Sequence, residues 1–470
     1  MDHPVSGLLP ATERALRRRL AIEQRDGRVP SLVSGVVRDG ALVWSAARGD
    51  TGLVGPDTAG PDTQYRIGSI SKTFTAALVM QLRDEGRLEL TDPVERHLPG
   101  TAVAQTRLAA LLSHSGGLAA ETTGPWWERT DGTDRSLAEV LGDAPRRHRE
   151  GRLFHYSNLG YGVLGEVVAA LTGSSWQLAV DQRLLAPLGM SRTTSGPVIP
   201  YARGLAVHPW ADLVLAEPEH HAGVLAPAGQ LWSTVADLAR WTHVLAGDRG
   251  DVVAAATVAE MAEPAAVADT PTGWATAYGL GLQVFLDTAG SRAGGRPRRL
   301  VGHTGSMPGF LATLWLSPED GVAAVAMANA TAGPALSRFV ADLVDIVAAA
   351  EPAIPAVWAP SSDPDPALLT MAGLWHWGPA PFAVRITRGR QLHLFPVRGA
   401  GRESAFRPIS ADTWVGLDGY YRGETLRAHR DPAGRVTHLE LASFVFTRAP
   451  YEPSAPVPGG VDPGGWTTGY

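Results

Sequence analysis

Cysteine is absent from the 470-residue chain. That excludes disulfides, thiolate metal sites and a cysteine nucleophile, so covalent chemistry falls to Ser, Tyr, Lys, His or carboxylates. Lysine is nearly absent too: of 41 Lys and Arg residues, only Lys72 is lysine. No apolar run approaches the length that spans a membrane. Nor is there an excess of positive charge. The formal net charge of −6 and a pI near 6.2 offer no basic footprint for nucleic acid or an anionic membrane surface. Met1-Asp2-His3-Pro4 is not a charged segment followed by an apolar core, and Arg17-Arg18-Arg19 falls inside an amphipathic helix, so a cytoplasmic protein is expected.

The lone lysine singles out Arg66-Ile67-Gly68-Ser69-Ile70-Ser71-Lys72-Thr73-Phe74. A guanidinium stays protonated at any working pH, whereas an amine driven neutral by its surroundings can accept a proton. Lysine therefore stands where arginine would fail. The run Thr73 to Leu82, stopped by Gly86, predicts a buried helix, and residues three apart share a helix face. Ser69 and Lys72 then supply an alcohol, a base and helix-terminal N–H groups, the parts of an activated nucleophile. The plain alternative is a capping serine beside a surface charge.

At 470 residues two or three domains are expected. A helix over Ala11 to Gln24 and a hairpin, Ser31 to Val37 and Ala41 to Arg48 around Asp39-Gly40, put a helix on an antiparallel sheet. Leu108 to Leu112 predicts a short helix before Ser113-His114-Ser115-Gly116-Gly117, with His114 holding the turn. Residues 119 to 135 read as a polar loop bearing Trp126-Trp127, and Ser136 to Glu139 as a capping box. A further helix runs from Val163 towards Leu171. Tyr278 to Phe285, Phe310 to Leu316 and Val322 to Ala330 predict strands, and Pro334 opens a terminal amphipathic helix, so the ends of one large domain (1–350) meet in a single sheet. Five prolines between Glu351 and Ala367 mark a linker (351–367). Ala383 to Thr387, Gln391 to Phe395, Thr413 to Leu417, Glu424 to His429 and Val436 to Leu441 describe a small antiparallel barrel (368–450), followed by a Pro/Gly-rich tail (451–470). The fold class is α+β, an antiparallel sheet flanked by helices with an all-α subdomain, followed by the barrel. His208, His220 and His221 lack ligand spacing and carboxylates, so neither a metal nor another cofactor is expected.

Two other stretches have chemistry to offer, Tyr156-Ser157-Asn158 and Gly302-His303-Thr304-Gly305-Ser306. Ser69-x-x-Lys72, then Tyr156-Ser157-Asn158, then His303-Thr304-Gly305, in that order, resemble the penicillin-binding-protein-like serine hydrolases. The nearest branch is that of class C β-lactamases, D-aminopeptidases and esterases. The likeness spans about Val29 to Ala349 and includes Leu111 to Leu118 and Ala226 to Ser233. The barrel resembles the lipocalin-like appendage of some members, and its role reads as shielding a cleft, association or added stability.

The resemblance implies that Ser69 Oγ attacks an acyl carbonyl and forms an ester intermediate. Lys72 and Tyr156 would share the proton work, the cation lowering the phenol's pKa. Asn158 would bond Lys72 and the substrate amide, and the N–H groups of Ser69 and Ser306, beside Gly305, would hold the oxyanion. His303 would line the opposite wall and polarise the hydroxyls or meet the substrate. β-Lactamases and D-Ala-D-Ala peptidases usually place lysine there. A neutral imidazole holds a carboxylate less firmly, which favours esters, small amides or D-amino-acyl peptides over β-lactams or cell-wall peptides. The partner is thus a small-molecule or peptide acyl donor. Two other functions remain open: discharge of the acyl-enzyme onto an amine or alcohol, as in thioesterases that release or cyclise assembly-line peptides, and a catalytically silent sensor or scaffold.

Overall fold

Pro10, whose missing N–H is no loss in a first turn, opens helix α1 (Pro10–Asp26). The computed structural model describes residues 7–52, 58–268, 276–288, 297–355, 357–360, 365–399 and 401–450. The predicted tail lies outside them. The hairpin forms as β1 (Ser31–Arg38) and β2 (Ala41–Gly49), turning at Asp39-Gly40.

Downstream lie β3 (Ala266–Ala268), β4 (Thr276–Tyr278), β5 (Gln283–Asp287), β6 (Arg298–Met307), β7 (Phe310–Ser317) and β8 (Val322–Ala328). The eight strands form one antiparallel sheet in the order β2-β1-β8-β7-β6-β5-β4-β3, closed between the ends of the domain by Leu32↔Ala328 through Arg38↔Val322. The strand predicted over Tyr278 to Phe285 is therefore two strands. The chain turns at Gly279 to Leu282 because it passes tightly over its neighbours: a Cβ at Gly281 would lie 2.1 Å from that of Ala76.

Both sheet faces are covered, which is why β1 is buried along nearly its whole length. Leu32, Val36, Leu300 and Trp315 pack with Leu16 and Leu20 of α1 and with Phe339, Val340 and Val344 of the terminal helix, Leu336–Ala350. Val33, Val37, Leu314 and Val325 join the other cluster with α2 (Ser71–Asp84) and α3 (Asn158–Thr172). Burying aliphatic side chains at about 25 cal/mol per Å² makes these two layers the main stabilising term. Ser136 and Glu139 form the predicted capping box. Among the described residues no single helix is long and apolar enough to cross a membrane.

The chain divides into two compact units, residues 1–354 and 355–470. The second begins its regular structure with a helical turn, Pro366–Leu369, inside the last residues of the predicted linker. It continues as a closed eight-stranded barrel from Gly373–Trp377 to Phe444–Thr447, sealed at His376↔Thr447. Five of its strands were legible in the sequence. Its interior is filled by Trp375, Phe406, Trp414, Phe446 and aliphatic residues, a packed core.

Candidate active site

Ser69 sits in a single 3-10 turn, Gly68–Ile70, that runs directly into α2. Thr73 and Phe74 hold the first turn of α2 against Trp241: its indole N–H donates to Thr73 Oγ1 at 2.9 Å and the two rings stack at 3.9 Å. Lys72, fully buried, reaches back along the same face. Its Nζ lies 2.9 Å from Ser69 Oγ, 2.7 Å from Asn158 Oδ1 and 2.7 Å from the Ala228 carbonyl oxygen. The rings of Tyr156 and Tyr161 stand 4.8 and 5.5 Å away. Burial lowers the amine's pKa to about 7, against a smaller upward pull from Glu121 and Glu128. A neutral amine fits the three contacts: it donates to Asn158 and Ala228 and accepts the Ser69 hydroxyl proton.

Burial pushes the Tyr156 phenol's pKa above the usual value and outweighs the Ser69 hydroxyl, which draws it down. The expected lowering by the lysine cation is thus reversed. Desolvation disfavours whichever charge each group would bear, so it depresses the amine and raises the phenol. Near neutral pH the amine is the base and the phenol keeps its proton. His114 positions this tyrosine. Its Nδ1 accepts the Ser157 N–H at 3.0 Å, which leaves the proton on Nε2, and its ring lies 4.1 Å from that of Tyr156.

Asn158 opens α3, where Ser157 caps the helix through the Gly160 N–H. Its Oδ1 serves Lys72 as expected. Its Nδ2 donates one of its two N–H groups to Glu121 Oε1 at 2.7 Å. His303 departs further from expectation. It is 1% exposed, with Nδ1 on the Thr304 carbonyl at 2.5 Å and Nε2 against the Tyr278 hydroxyl at 2.7 Å. The carbonyl only accepts, so Nδ1 holds the proton and Nε2 takes that of Tyr278. Burial lowers its pKa to about 3. The imidazole is therefore a neutral brace behind the wall, and Thr304, next along β6, faces the cleft.

Gly305 and Ser306 bring β6 against the nucleophile turn. A Cβ on Gly305 would lie 2.0 Å from the Ile67 carbonyl oxygen and 3.2 Å from the Ser69 nitrogen. One on Gly68, at φ +51°, would lie 2.7 Å from the Ser306 nitrogen. Only glycine permits either approach. Pairing of β6 with β5 ends at Gly302↔Gln283, so the outer edge of residues 303–307 is open. The Thr304 N–H points to that edge, towards Gln283, and strand alternation points the Ser306 N–H the same way, beside Ser69. Ser69, Tyr156, Gln283, Phe285, Thr304, Gly305 and Ser306 line an open cleft of about 640 Å³.

Two groups here escaped sequence reasoning. Glu121 is held by Asn158 and by the Trp127 indole N–H at 2.6 Å, and burial raises its pKa. Its signal was an acid in the loop bearing the paired tryptophans. Tyr278 reads from the sequence only as a strand residue. Among the described residues no group of three or more His, Asp or Glu could hold a metal ion.

A profile of the beta-lactamase family matches residues 13–349. The chain belongs to the beta-lactamase family. A second profile, a domain of unknown function called DUF7586, matches residues 364–448, the barrel of this beta-lactamase-family protein. Penicillin-binding protein 4 of Amycolatopsis lactamdurans is 31% identical over 363 residues, 73% of this chain and 88% of that one. D-amino acid amidase from Ochrobactrum anthropi SV3, solved with L-phenylalanine amide, superposes with a TM-score of 0.61 at 26% identity, covering 72% of this chain and 98% of the amidase. The structure of SurE superposes with a TM-score of 0.60 at 26% identity, covering 93% of this chain and 99% of SurE.

Proposed function

We propose that this protein is a serine hydrolase that cleaves small amides and esters of amino acids, D-amino acids foremost, through an acyl-Ser69 intermediate. The observation behind the reading is the chain's single lysine, fully buried, 2.9 Å from Ser69 Oγ and with its pKa lowered to about 7. Such an amine accepts the serine proton without being charged beforehand. As Oγ bonds to the acyl carbon, its proton passes to Lys72, and the carbonyl oxygen becomes an oxyanion between the N–H groups of Ser69 and Ser306. The proton then travels through the Tyr156 phenol to the leaving nitrogen or oxygen, whose bond to carbon breaks. Water repeats the sequence and frees the acid and Ser69.

Carboxylates whose field reaches the amine support an acyl group bearing an ammonium. Glu121 and Glu128 act on Lys72 and Tyr156, while the position that would be cationic in a carboxylate-binding relative is the neutral His303. Likeness to a D-amino acid amidase agrees with this choice. The test is hydrolysis of D-phenylalaninamide, its L-enantiomer and the N-acetyl derivative. The D-amide should be favoured, acetylation should lower kcat/KM, and Glu121→Gln should lower it about tenfold more for the free amine than for the N-acetyl derivative, the scale of one charge-assisted contact. Equal rates on all three contradict the substrate assignment. Product analysis with an added amine separates hydrolysis from acyl transfer.

A further inference from the structure

We propose that Gln283 reads the leaving group and selects leaving groups that are themselves amino-acid residues, making the enzyme an aminopeptidase more than an amidase; this rests on the acyl-Ser69 reading. Gln283 is the last residue of β5 to pair with β6, and just beyond it the edge of β6 opens. Its side chain takes the position a next strand residue would have filled. Oε1 accepts the Thr304 N–H at 3.1 Å and the Thr304 hydroxyl at 3.2 Å. A backbone N–H can only donate, so the amide atom facing Thr304 is the oxygen, and the NH₂ group points the other way. That NH₂ makes no hydrogen bond among the described residues. Gln283 is partly exposed and lines the cleft with Ser69 and Tyr156.

The proton route places the leaving group at this end. The departing atom takes its proton from Tyr156, which lines the same cleft as Thr304 and Gln283. From the oxyanion donor at Ser306, the cleft wall therefore runs along β6 past Thr304 to the free Gln283 amide. Two N–H donors without charge match a carbonyl oxygen a few bonds beyond the scissile nitrogen, as a peptide's next residue supplies. Ammonia or a simple alkylamine supplies none.

The experiment compares D-phenylalanyl-glycinamide with D-phenylalanyl-propylamide, the same acyl group on leaving groups with and without that carbonyl, using the full chain. The wild type should favour the glycinamide by about tenfold in kcat/KM, the ratio one neutral hydrogen bond supports. Gln283→Leu should bring the two within about twofold by slowing the glycinamide. Gln283→Glu keeps an oxygen for the Thr304 N–H but removes the donors, and the ratio of the two amides should likewise fall to within about twofold. That second variant separates reading of the substrate from bracing of the strand. Equal wild-type rates on both amides, or a preference that survives in Gln283→Glu, overturn this inference alone. Absence of turnover of either amide by the wild type strikes the acyl-Ser69 reading and this inference with it.

Discussion

Three hydrogen-bond partners surround the amine of Lys72, and aromatic rings complete the shell, so it is shut off from water. Replacing it by arginine keeps a cation that cannot give up its proton. Lys72→Arg should lower kcat/KM by about 10³-fold, within the range for a lost general base, with an unchanged far-ultraviolet dichroism spectrum. The pH dependence follows from the same burial. Because the base form is the neutral amine, wild-type kcat/KM should rise as pH increases through about 7 and then level. Stability should move the same way. The unfolded amine titrates near 10.5 and the folded one near 7, so between those values the unfolded chain holds the extra proton and folding gains as pH rises. Urea midpoints across that window should climb more steeply in wild type than in Lys72→Met. At this scale Ser69, Lys72, Tyr156 and Asn158 were legible because each stands in a short motif and the motifs follow one another in order. His303 was legible as a member of the site but not in its orientation: on a strand, one position decides which face a side chain takes, and Thr304 has the cleft. Glu121 and Gln283 lay in no pattern that periodicity could detect.

The element that matters most is β6, because its backbone rather than its side chains completes the site. Gly305 lets it close on Ile67 and Ser69. A methyl group there pushes the strand off the turn and displaces the Ser306 N–H from the oxyanion position. Gly305→Ala should therefore reduce kcat by about 10²-fold, the scale of one lost oxyanion donor. Steady-state kinetics beside a thermal melt will show whether catalysis falls further than stability explains. The helices and the β1–β2 hairpin were readable because their apolar spacing is long and regular. The β4–β5 break was not, since Gly279 to Leu282 turns for the sake of a contact with α2 that only the tertiary fold creates. In the barrel the short strands Gly373–Trp377, Ser404–Pro408 and Phe444–Thr447 escaped notice.

For the whole molecule, the arrangement of sheet and helices followed from strands at both ends of a long helical stretch, and the closure of β1 on β8 agrees with it. The barrel's closure was also expected, but the filling of its interior was not open to sequence reading, because aromatic residues on short strands alternate alike in hollow and packed barrels. The packing makes a prediction. Trp375 is fully buried, donates its indole N–H to the Met371 carbonyl at 2.7 Å and lies under Arg448 at 3.8 Å. Trp375→Ala should destabilise the barrel by about 3–5 kcal/mol, seen as an earlier unfolding transition in denaturant.

Everything proposed for catalysis depends on an alcohol made reactive by an uncharged amine. Phosphonylation reads that directly: an aryl phosphonate ester is incubated with the protein over a pH series and the adduct is mapped by mass spectrometry. One adduct, on Ser69, forming at a rate that rises through pH 7 and collapses in Lys72→Arg, is the expected result. Modification elsewhere with Ser69 untouched, or a rate on Ser69 indifferent to pH and to the loss of the amine, would contradict it.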